Sequence, residues 1–429
     1  MKPERAHDRG GHILCDTGIP ARASETRTLS VARTGWKARV TNALTGLFMV
    51  LASLGAAPDF SQIGFSTINA LSDNGTSGGG DTAPMVVHNA VELRNAAERL
   101  EIRDKAAREQ TPRVIQIAND IDLGELQNVP GGNEIKDVGI VRPASNTTIF
   151  AIGAGATVRH GTFEIHGKHN IIIRNLIFRD LWEFDPTGEY DKLGWDYVRI
   201  TRQSGVFSHH VWVDHCDFGK VYDGQVDIVH GSDFVTVSWC KFTGDERGPQ
   251  KKVSLVGHSP SNADEDKGRL NVTFHHNWYE NIEDRAPRAR FGNIHSFNNY
   301  INGAANATMS VVGATTLVEH NYYNDVSIAT SFSHANDTVA KGRGGTIAIV
   351  DSINANPRKL TPTTKSSELF EQEQNFKSSI DRAALEFSAP AATFDWADRK
   401  QLPYPYQLDP TADVPTIVMK YAGSGKLNP

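Results

Sequence analysis

Cysteine, net charge and long apolar runs are all scarce in this chain. It has three cysteines in 429 residues, and no group of cysteines and histidines has the spacing of a zinc site. The formal net charge is only −6, which argues against general binding of nucleic acid. An anionic ligand would therefore have to be bound by a local cationic site. The apolar, charged and aromatic fractions are those of an ordinary globular protein.

The N-terminal part predicts a secretory signal. Residues 1–42 carry eight Lys or Arg against four Asp or Glu, and the uncharged apolar run Ala43–Ala57 then ends in small residues. This run is short for a membrane span, and Asp59 follows closely, so we expect no membrane span in the mature protein. The alternative for the run is a buried helix. We expect a leader over 1–57, removed with Cys15, and a secreted protein.

The composition of residues 58–84 predicts a flexible linker. The segment is rich in Gly, Ser, Thr and Asn and contains the tract SGGGD. We expect the folded domain to span 85–429. Residues 88–107 place apolar side chains at mostly helical spacing among charges, which predicts a short amphipathic helix. Beyond it the helical period largely disappears, and β-rich runs bounded by Pro, Gly and Asn follow.

A repeated octet dominates the rest of the chain. Five copies align position for position: IIIRNLIF (171–178), VWVDHCDF (211–218), VTVSWCKF (235–242), VTFHHNWY (272–279) and TLVEHNYY (316–323). A weaker copy, HSFNNYI, ends at Ile301. Counted at the sixth position, the steps between copies are 40, 24, 37, 22 and 22 residues. The short steps fit one coil of a solenoid, and the long steps fit a coil with an inserted loop.

Coils of this kind predict an all-β fold, a parallel β-helix. One coil cannot bury its apolar face alone, so successive octets must stack in parallel, with equivalent side chains in ladders. The open ends of the solenoid would pair with other chains unless they were covered. We expect the helix at 88–107 to cover the first end, and the tail 378–429 to pack back over a side or over the far end.

Stacking changes the interpretation of several polar residues. Asn277, Asn299 and Asn321 share the sixth position, so we expect a ladder of amide hydrogen bonds there. Asp214 and His215 look catalytic, but they lie inside an octet, which favours a structural role.

Two cysteines, Cys216 and Cys240, also share the sixth position on neighbouring coils. They could form a disulfide or could simply stack as small apolar residues, and the sequence leaves both alternatives open.

The inserted loops are where we expect chemistry, because loops on a rigid solenoid carry function. They contain Asp196, Asp223 and Asp227, then Lys252, and then the arginine cluster RAPRAR (285–290). Three carboxylates facing a cationic cluster would suit a bound hard cation with an anionic ligand between them. Calcium takes about six to eight oxygen ligands, so three aspartates leave room for water and substrate oxygens.

The arginine cluster itself has two interpretations. Arg285, Arg288 and Arg290 lie within six residues around one proline, an arrangement suited to binding carboxylates in forked pairs. If the chain is extended after the proline, Arg288 and Arg290 share one face. The alternative is a solvated basic patch paired with the preceding Glu283 and Asp284.

Taken together, these motifs resemble the secreted polysaccharide lyases of the pectate lyase family. The resemblance spans about 85–425 and rests, in chain order, on SNTTI, NIIIRNLIF, VWVDH, DGQVDIVHGSDFVTVSW, KVSLVGHS, VTFHHN and RAPRARFG. It implies a right-handed parallel β-helix that cleaves de-esterified pectin, or polygalacturonate, by β-elimination with calcium. We expect this acidic polysaccharide to be the partner, no nucleic acid to be bound, and the protein to act as a monomer.

The resemblance also implies roles for single residues. They are calcium binding by Asp196, Asp223 and Asp227, proton abstraction by Arg285, and binding of the substrate carboxylate by Lys252 and Arg290, with Arg288 as support. An arginine base needs a lowered pKa. We expect calcium, Lys252 and the other arginines to lower it by like-charge repulsion.

Three rival functions stay open. A pectin lyase would act on esterified chains without calcium, and its relatives generally lack this acidic set. A polygalacturonate hydrolase needs paired carboxylates, for which Asp223 and Asp227 could serve. A non-catalytic β-helix protein would bind the polysaccharide and leave it intact.

Overall fold

In a computed structural model of the protein, the repeated octets pair in the register that the sequence predicts. Ile171 pairs with Val211, Val211 with Val235, and Val235 with Val272, each on a parallel neighbouring strand. Ile294, at the start of the weaker copy, continues the series. The predicted parallel β-helix is therefore confirmed.

The structure describes residues 58–128, 139–181, 195–221, 223–244, 252–332, 344–358 and 402–427. From Asp59 onwards they belong to one unit. The predicted leader 1–57 lies outside the described residues, as does the first part of the tail, 378–401. None of the helices in the described ranges is both long enough and apolar enough to cross a membrane.

Within these ranges, the first sheet consists of ten parallel strands, one for each coil. Strands are numbered in chain order. The first sheet contains β3 (Met85–Val87), β4 (Arg113–Ile117), β7 (Thr147–Ala151), β10 (His169–Arg174), β13 (His209–Asp214), β16 (Asp233–Ser238), β19 (Asn271–His275), β22 (Asn293–Phe297), β24 (Thr315–Glu319) and β26 (Thr346–Val350).

The remaining parallel strands form two further stacks that two long strands join into one sheet. The second stack contains β5 (Ile121–Asp122), β8 (Ala156–Arg159), β11 (Leu176–Arg179), β14 (Asp217–Phe218), β17 (Lys241–Thr243), β20 (Trp278–Ile282) and β27 (Ile353–Ala355). The third stack contains β6 (Gly139–Val141), β9 (Gly161–His166), β12 (Val198–Thr201), β15 (Val226–Ile228), β18 (Leu255–Val256) and β21 (Arg288–Arg290). The joining strands are β23 (Tyr300–Val311) and β25 (Tyr322–Ser331).

Equivalent side chains form ladders inside the coils. The rings of Phe178, Phe218, Phe242 and Tyr279 stack in series, with centroids 4.9, 5.1 and 5.1 Å apart. These separations are close to the spacing of neighbouring strands in a sheet, about 4.8 Å, so each coil adds one ring to the ladder. The apolar core thus runs along the whole solenoid.

The sixth position of the octet behaves as the sequence predicts. Asn277 Nδ2 donates to Asn299 Oδ1 at 3.0 Å, and Asn299 Nδ2 donates to Asn321 Oδ1 at 3.2 Å. The amide ladder is therefore confirmed. Cys216 and Cys240 are both buried and both free, so they stack without a disulfide.

The helical segment at the first end differs from the prediction of a single helix over 88–107. It forms α1 (Ala90–Glu98) and α2 (Lys105–Gln110). Arg99 ends α1 because its backbone is left-handed, with φ 52°. Leu93 is fully buried, and α1 packs against β3, β4 and β6 at this end of the solenoid. The prediction that a helix covers this end is confirmed.

The prediction of a flexible linker over 58–84 is wrong, because this segment packs on the outer face of the first sheet. Its short 3-10 helix, η1 (Phe65–Thr67), contacts β13, β16 and β19. Phe65 is fully buried, and its backbone N–H donates to Thr273 Oγ1. Asn170 Oδ1 accepts from the backbone N–H groups of Ser77 and Gly78, both at 2.7 Å. The segment also contains a hairpin, β1 (Asn69–Ala70) and β2 (Asp73–Asn74).

The described part of the tail, 402–427, runs back along one side of the solenoid, as predicted. Tyr404 Oη lies 2.9 Å from Thr273 Oγ1 and 2.8 Å from His295 Nδ1. The three remaining helical elements are η2 (Leu123–Asn128), α3 (Ala263–Asp266) and α4 (Val414–Tyr421). Helix α4 packs against Tyr300.

Candidate active site

The candidate site lies on the outer face of the third stack. Strands β12, β15, β18 and β21 are consecutive parallel neighbours there. Side chains alternate along a strand. Val226 and Ile228 are buried in the core, so Asp227 between them points outward. For the same reason Ala289, which is in the core, leaves Arg288 and Arg290 on the outer face. The expectation that these two arginines share one face is met.

The structure brings six of the seven predicted site residues together around one cavity of about 280 Å³. Its lining is Asp196, Arg199, Asp223, Asp227, Val229, Lys252, Leu255, His258, Arg285 and Arg290. Arg288 is not part of this lining, although it is buried on the same strand as Arg290. Carboxylates and cations thus share one cavity.

The two innermost carboxylates are buried with few hydrogen-bond donors. Asp196 is 2% exposed and its Oδ1 accepts from the backbone N–H of Gly224 at 2.8 Å. Asp227 is 5% exposed and its Oδ1 accepts from the backbone N–H of Leu255 at 2.9 Å. Burial, followed by repulsion from Asp227 and Asp223, raises the pKa of Asp196 well above its usual value.

The ionised form of Asp227 is also disfavoured. Burial raises its pKa to about 6, even though the Arg285 guanidinium acts in the opposite direction. Asp223 adds further repulsion and is itself more exposed. The ionised forms of Asp196 and Asp227 are therefore both disfavoured in the protein without a metal ion.

Gly224 leaves room between the carboxylates. A side chain here would place its first carbon 2.2 Å from Asp227 Oδ1 and 3.0 Å from Asp196 Oδ1. Real contacts of this kind are never so short, so only glycine lets both oxygen atoms face the same space. The oxygen atoms of Asp196, Asp223 and Asp227 are nevertheless not all within 4.8 Å of one another. Among the described residues, one group of potential metal ligands meets this spacing, and it lies outside this cavity.

Oxygen donors of this kind fit calcium better than they fit the transition metals. Calcium prefers carboxylates with carbonyl and water oxygens, in a loose shell of about six to eight ligands. Two buried aspartates whose charges repel each other, across a glycine that keeps their shared space open, match that requirement. Asp223, the most exposed of the three, is the one best able to move inward toward an ion.

Two cations face the carboxylates. Lys252 Nζ lies 3.5 Å from Asp223 Oδ1. Arg285 Nη1 lies 3.5 Å from Asp223 Oδ1 and 3.7 Å from Asp227 Oδ2. Asp284 is 3.6 Å from Arg285 Nε. Arg285 is therefore not a solvated surface arginine, and at 9% exposed it is buried among carboxylates.

In the protein without a metal ion, the pKa of Arg285 shifts in the direction opposite to the one expected for the site with calcium. Burial alone would lower it, but Asp227, Asp284 and Asp223 more than offset burial, so the pKa of Arg285 is raised. Asp284 precedes Arg285 in the chain, and folding adds the aspartates of β15 and its preceding loop.

Arg290 is held from behind by the backbone. Its Nη1 donates to the carbonyl oxygens of Gly257 at 2.8 Å and His258 at 3.0 Å. These carbonyls fix the direction of the guanidinium toward the cavity. A lysine lacks the planar fork that could bond both carbonyls and also bind a carboxylate in a forked pair.

Sequence reasoning missed Arg199 and His258, and it considered Asp284 only as an ion-pair partner of a solvated basic patch. Arg199 lies between the core residues Val198 and Ile200 and pairs in register with Asp227, so strand alternation beside Asp196 could have revealed it. His258 was part of a quoted motif but had received no role. Burial lowers its pKa, and the neighbouring His230, Arg199 and Arg290 add to that shift.

Asp214 and His215, which look catalytic in the sequence, lie on the first sheet and not in this cavity. His215 Nδ1 is 2.7 Å from Asp214 Oδ2, and Ser238 Oγ donates to Asp214 Oδ1 at 2.7 Å. Both residues are fully buried. Their position agrees with the structural role that the octet suggested.

Comparisons with known proteins point to one family. A family model described as pectate lyase matches residues 36–427. Pectate trisaccharide-lyase of Thermotoga maritima is 32% identical over 296 residues, covering 67% of this chain and 73% of that protein. Pectate lyase D of Dickeya chrysanthemi is 28% identical over 373 residues, covering 82% and 87%.

Solved structures agree at the level of the fold. A pectate lyase from Paenibacillus sp. 0602 has a TM-score of 0.65 at 24% identity, covering 87% of this chain and 97% of that one. A pectate lyase from Bacillus sp. N165, solved in complex with trigalacturonate, has a TM-score of 0.60 at 21% identity, covering 86% and 100%. The family model accounts for most of the sequence, and the chain therefore belongs to the pectate lyase family, whose members are lyases that act on polysaccharides.

Proposed function

We propose that this enzyme cleaves polygalacturonate by calcium-dependent β-elimination at α-1,4 links, leaving 4,5-unsaturated oligogalacturonates. The observation that carries the proposal is a single cavity in which three aspartates face Lys252, Arg285 and Arg290. A uronate carboxylate that enters such a cavity needs cations around it. The family assignment supports the substrate class, because the relatives are named for pectate.

Asp196, Asp223 and Asp227 would hold the calcium ion. When bound, calcium supplies Lewis-acid stabilisation of negative charge on the substrate carboxylate. The closeness of these carboxylates supports the assignment, since burial and then mutual repulsion raise the pKa of Asp196, and a divalent cation would relieve the repulsion. The three aspartates would thus bind the cation, and the cation would in turn contact the carboxylate of the polysaccharide.

The substrate carboxylate would be bound by Lys252 and Arg290. Removing the proton from C5 builds negative charge onto a group that already carries one, so these cations stabilise the transition state more than the ground state. Arg290 is suited to a forked contact because two carbonyls hold its guanidinium in place. Arg288, buried on the same strand, would support this position.

Arg285, as the neutral guanidine, would take the C5 proton. The C5–H electron pair then forms the C4–C5 double bond while the C4–O bond breaks. The leaving oxygen takes a proton from water, and the remaining hydroxide takes the proton from Arg285 and restores the neutral guanidine. The aspartates around Arg285 keep it charged in the protein without metal, because they raise its pKa. Neutralising those carboxylates with a divalent cation removes this stabilisation, so proton abstraction by Arg285 would depend on the filled cation site.

We also propose that the protein is secreted and acts as a monomer. The basic leader and the apolar run Ala43–Ala57 support secretion. A secreted enzyme would reach a polymer that is too large to enter a cell.

The decisive experiment follows ultraviolet absorbance while purified protein acts on polygalacturonate. Elimination creates an absorbing double bond, and we expect absorbance to rise with calcium and to stop when a chelator is in excess. Rising reducing ends without absorbance would indicate a hydrolase, and saturable binding with neither signal would indicate a non-catalytic protein. Full activity in excess chelator would remove calcium from the proposal. A preference for highly esterified pectin would move the enzyme to the pectin lyases.

A further inference from the structure

A second cluster of potential metal ligands lies outside the active-site cavity, on the outer face of the first sheet. Asp73 on β2 of the N-terminal hairpin meets His209 and His210 at the start of β13. Among the described residues, these three form the one group of His, Cys, Asp or Glu whose ligand atoms all lie within 4.8 Å of one another. The cluster contains two imidazoles, which distinguishes it from the all-carboxylate set of the active site.

The three ligand atoms of the cluster lie close enough to one another to share one ion. His209 Nδ1 and His210 Nδ1 are 2.8 Å apart, and Asp73 Oδ2 lies 3.5 and 3.7 Å from them. Ligand atoms of a tetrahedral zinc ion, at bond lengths of about 2.1 Å, lie about 3.4 Å apart. All three atoms can therefore reach one ion with small adjustments.

Consecutive residues of a strand normally face opposite ways, and the backbone explains why these two histidines do not. His209 pairs with His169 and Val211 with Ile171, so His210 lies opposite Asn170 and neither strand has an extra residue. Both His210 and Asn170 have left-handed backbones, with φ 54° and 57°. This turn at the start of the strand lets His210 Nδ1 lie 2.8 Å from His209 Nδ1.

The hydrogen bond on the far side of His210 fixes which nitrogen is available. His210 Nε2 lies 2.8 Å from the carbonyl oxygen of Ile68, which can only accept, so Nε2 carries the proton. The Nδ1 atom of the neutral ring is then an acceptor that points at Asp73 and His209. A backbone carbonyl on the other ring nitrogen is the usual partner of a metal-binding histidine.

His169 completes the surroundings of Asp73. Its Nδ1 lies 2.8 Å from Asp73 Oδ2, and its ring stacks on His209 with centroids 4.9 Å apart. It can donate to the carboxylate and hold it in the direction of the other two ligands. The cluster thus has both ligands and groups that orient them.

We propose that Asp73, His209 and His210 bind one zinc-class divalent cation, which fastens the hairpin 69–74 to the β-helix. Imidazole nitrogen with a carboxylate favours zinc, cobalt or nickel over calcium. Because His210 Nδ1 accepts, His209 Nδ1 carries the proton of the hydrogen bond between them. To bind the cation, His209 loses this proton to water and takes another from water at Nε2, so no net proton is released.

The turn of the hairpin has an unfavourable backbone conformation that a bound cation would stabilise. Both residues of its two-residue turn, Leu71 and Ser72, have left-handed backbones, with φ 50° and 74°. Turns of this kind favour Asn, Asp or Gly, so Leu and Ser are held there against their preference. Leu71 is 58% exposed and contributes little packing. A cation that binds Asp73 directly after the turn would stabilise this conformation.

The chain contains an internal comparison. His275 Nδ1 and His276 Nδ1 lie 2.9 Å apart in the same adjacent arrangement. There the carboxylate of Asp409 contacts His276 Nε2 instead, at 3.0 Å, and so faces the other side of the ring. The carboxylate that meets both Nδ1 atoms is the feature that singles out the Asp73 cluster.

The test uses the full chain without an affinity tag, stripped of metal and supplied with excess calcium. Cobalt(II) is titrated while visible absorption is recorded, zinc is then added as competitor, and thermal unfolding is followed with and without zinc. We expect one cobalt per chain with the intense bands of tetrahedral coordination, displacement by zinc, and a higher Tm with zinc. None of these signals requires turnover, so they are independent of the proposed lyase mechanism.

Variants identify the ligands. Asp73→Asn keeps the shape of the side chain and should abolish the cobalt bands and the zinc-dependent rise in Tm, as should His209→Ala. His169→Ala should keep the bands but raise Kd about tenfold, as expected for a residue that orients a ligand. His160→Ala is the matched control, because His160 Nδ1 also lies 2.9 Å from a carboxylate, that of Asp122, outside the cluster. Absence of the bands in the wild type, or the same bands in folded Asp73→Asn, would overturn the proposal.

Discussion

Asp214 on the first sheet and Asp227 on the third stack are both buried aspartates in parallel strands, yet their surroundings differ. Asp214 contacts His215 Nδ1 and Ser238 Oγ, and Arg174 Nε lies 2.7 Å away. Asp227 accepts one backbone N–H, and its nearest arginine nitrogen is 3.7 Å away. The neighbours of Asp214 supply enough donors to stabilise its negative charge. Asp227 has fewer close donors, so its negative charge can be stabilised further by a bound cation.

The comparison separates structural from functional carboxylates better than residue type does. Both aspartates follow or interrupt apolar strand residues, so the sequence pattern around them is similar. What differs is whether neighbouring coils supply donors or further carboxylates. Buried charge without enough partners is costly and is retained where a ligand supplies the missing partner.

The largest effect should come from Arg285→Lys, which leaves the surplus carboxylates in place but changes the group proposed to take the proton. Base catalysis contributes about 100- to 10,000-fold, so we expect kcat to fall about 1,000-fold with a smaller change in KM. Initial rates of unsaturated product at saturating calcium measure this.

Arg358→Lys serves as the control, because Arg358 pairs with Asp325 on the surface, away from the cavity. Circular dichroism verifies that each variant is folded. Near-normal kcat in folded Arg285→Lys would show that Arg285 acts only as a charge, and the base would have to be another residue.

The sequence was sufficient for the scaffold because stacking repeats the same few residues. The octet register, the asparagine ladder of Asn277, Asn299 and Asn321, and the outward direction of Arg288 and Arg290 all follow from local periodicity. Each depends on equivalent positions in consecutive coils, so counting residues along the chain was enough.

Other features depend on contacts that the periodicity of the sequence does not predict. The segment 58–84 has a linker composition, but its glycines allow close approach to the sheet: a side chain at Gly78 would lie 2.1 Å from Thr148 Oγ1. Two of the three carboxylates around Arg285, those of Asp223 and Asp227, come from a different coil. The cavity positions of Arg199 and His258 likewise depend on how loops of separate coils converge.

Asp214→Asn tests the satisfied member of the comparison. It removes a charge that Arg174 and its neighbours stabilise, and leaves buried donors without a full partner, so we expect a loss of about 3 kcal/mol in the free energy of unfolding. Denaturant unfolding measures this. The calcium requirement and kcat of the folded fraction should stay unchanged. A shift in calcium requirement would show that the two regions are coupled.

Asp227→Asn tests the unsatisfied member and should have the opposite sign. The pKa of Asp227 is raised to about 6, so its contribution to stability is fully present below the pKa of the unfolded chain and is lost as pH rises through about 6. In chelator at pH 7, the neutral variant should therefore be more stable than the wild type by about 3 kcal/mol. This difference should shrink toward pH 4.

Calcium should reverse that order. The wild type gains stability when calcium binds, and Asp227→Asn should need much more calcium for the same rate, because one ligand has lost its charge. Unfolding midpoints across pH, with and without calcium, measure both effects. A variant that is less stable than the wild type in chelator would show that Asp227 is satisfied in the metal-free protein, and the contrast with Asp214 would fail.

The smallest effect should come from Arg290→Lys. Arg290 combines the well-bonded surroundings of a structural residue with the cavity position of a functional one. Its guanidinium is satisfied by two backbone carbonyls on one side, as in a structural site, and faces the cavity on the other. A lysine keeps the charge but cannot bond both carbonyls and also offer a forked contact to a carboxylate. We expect KM for polygalacturonate to rise about tenfold, equivalent to about 1.4 kcal/mol, with kcat largely kept. Rates over a range of substrate concentrations at saturating calcium measure the split. A fall in kcat as large as that of Arg285→Lys would place Arg290 in the proton transfer itself, and the division between a group that binds the carboxylate and a group that takes the proton would no longer hold.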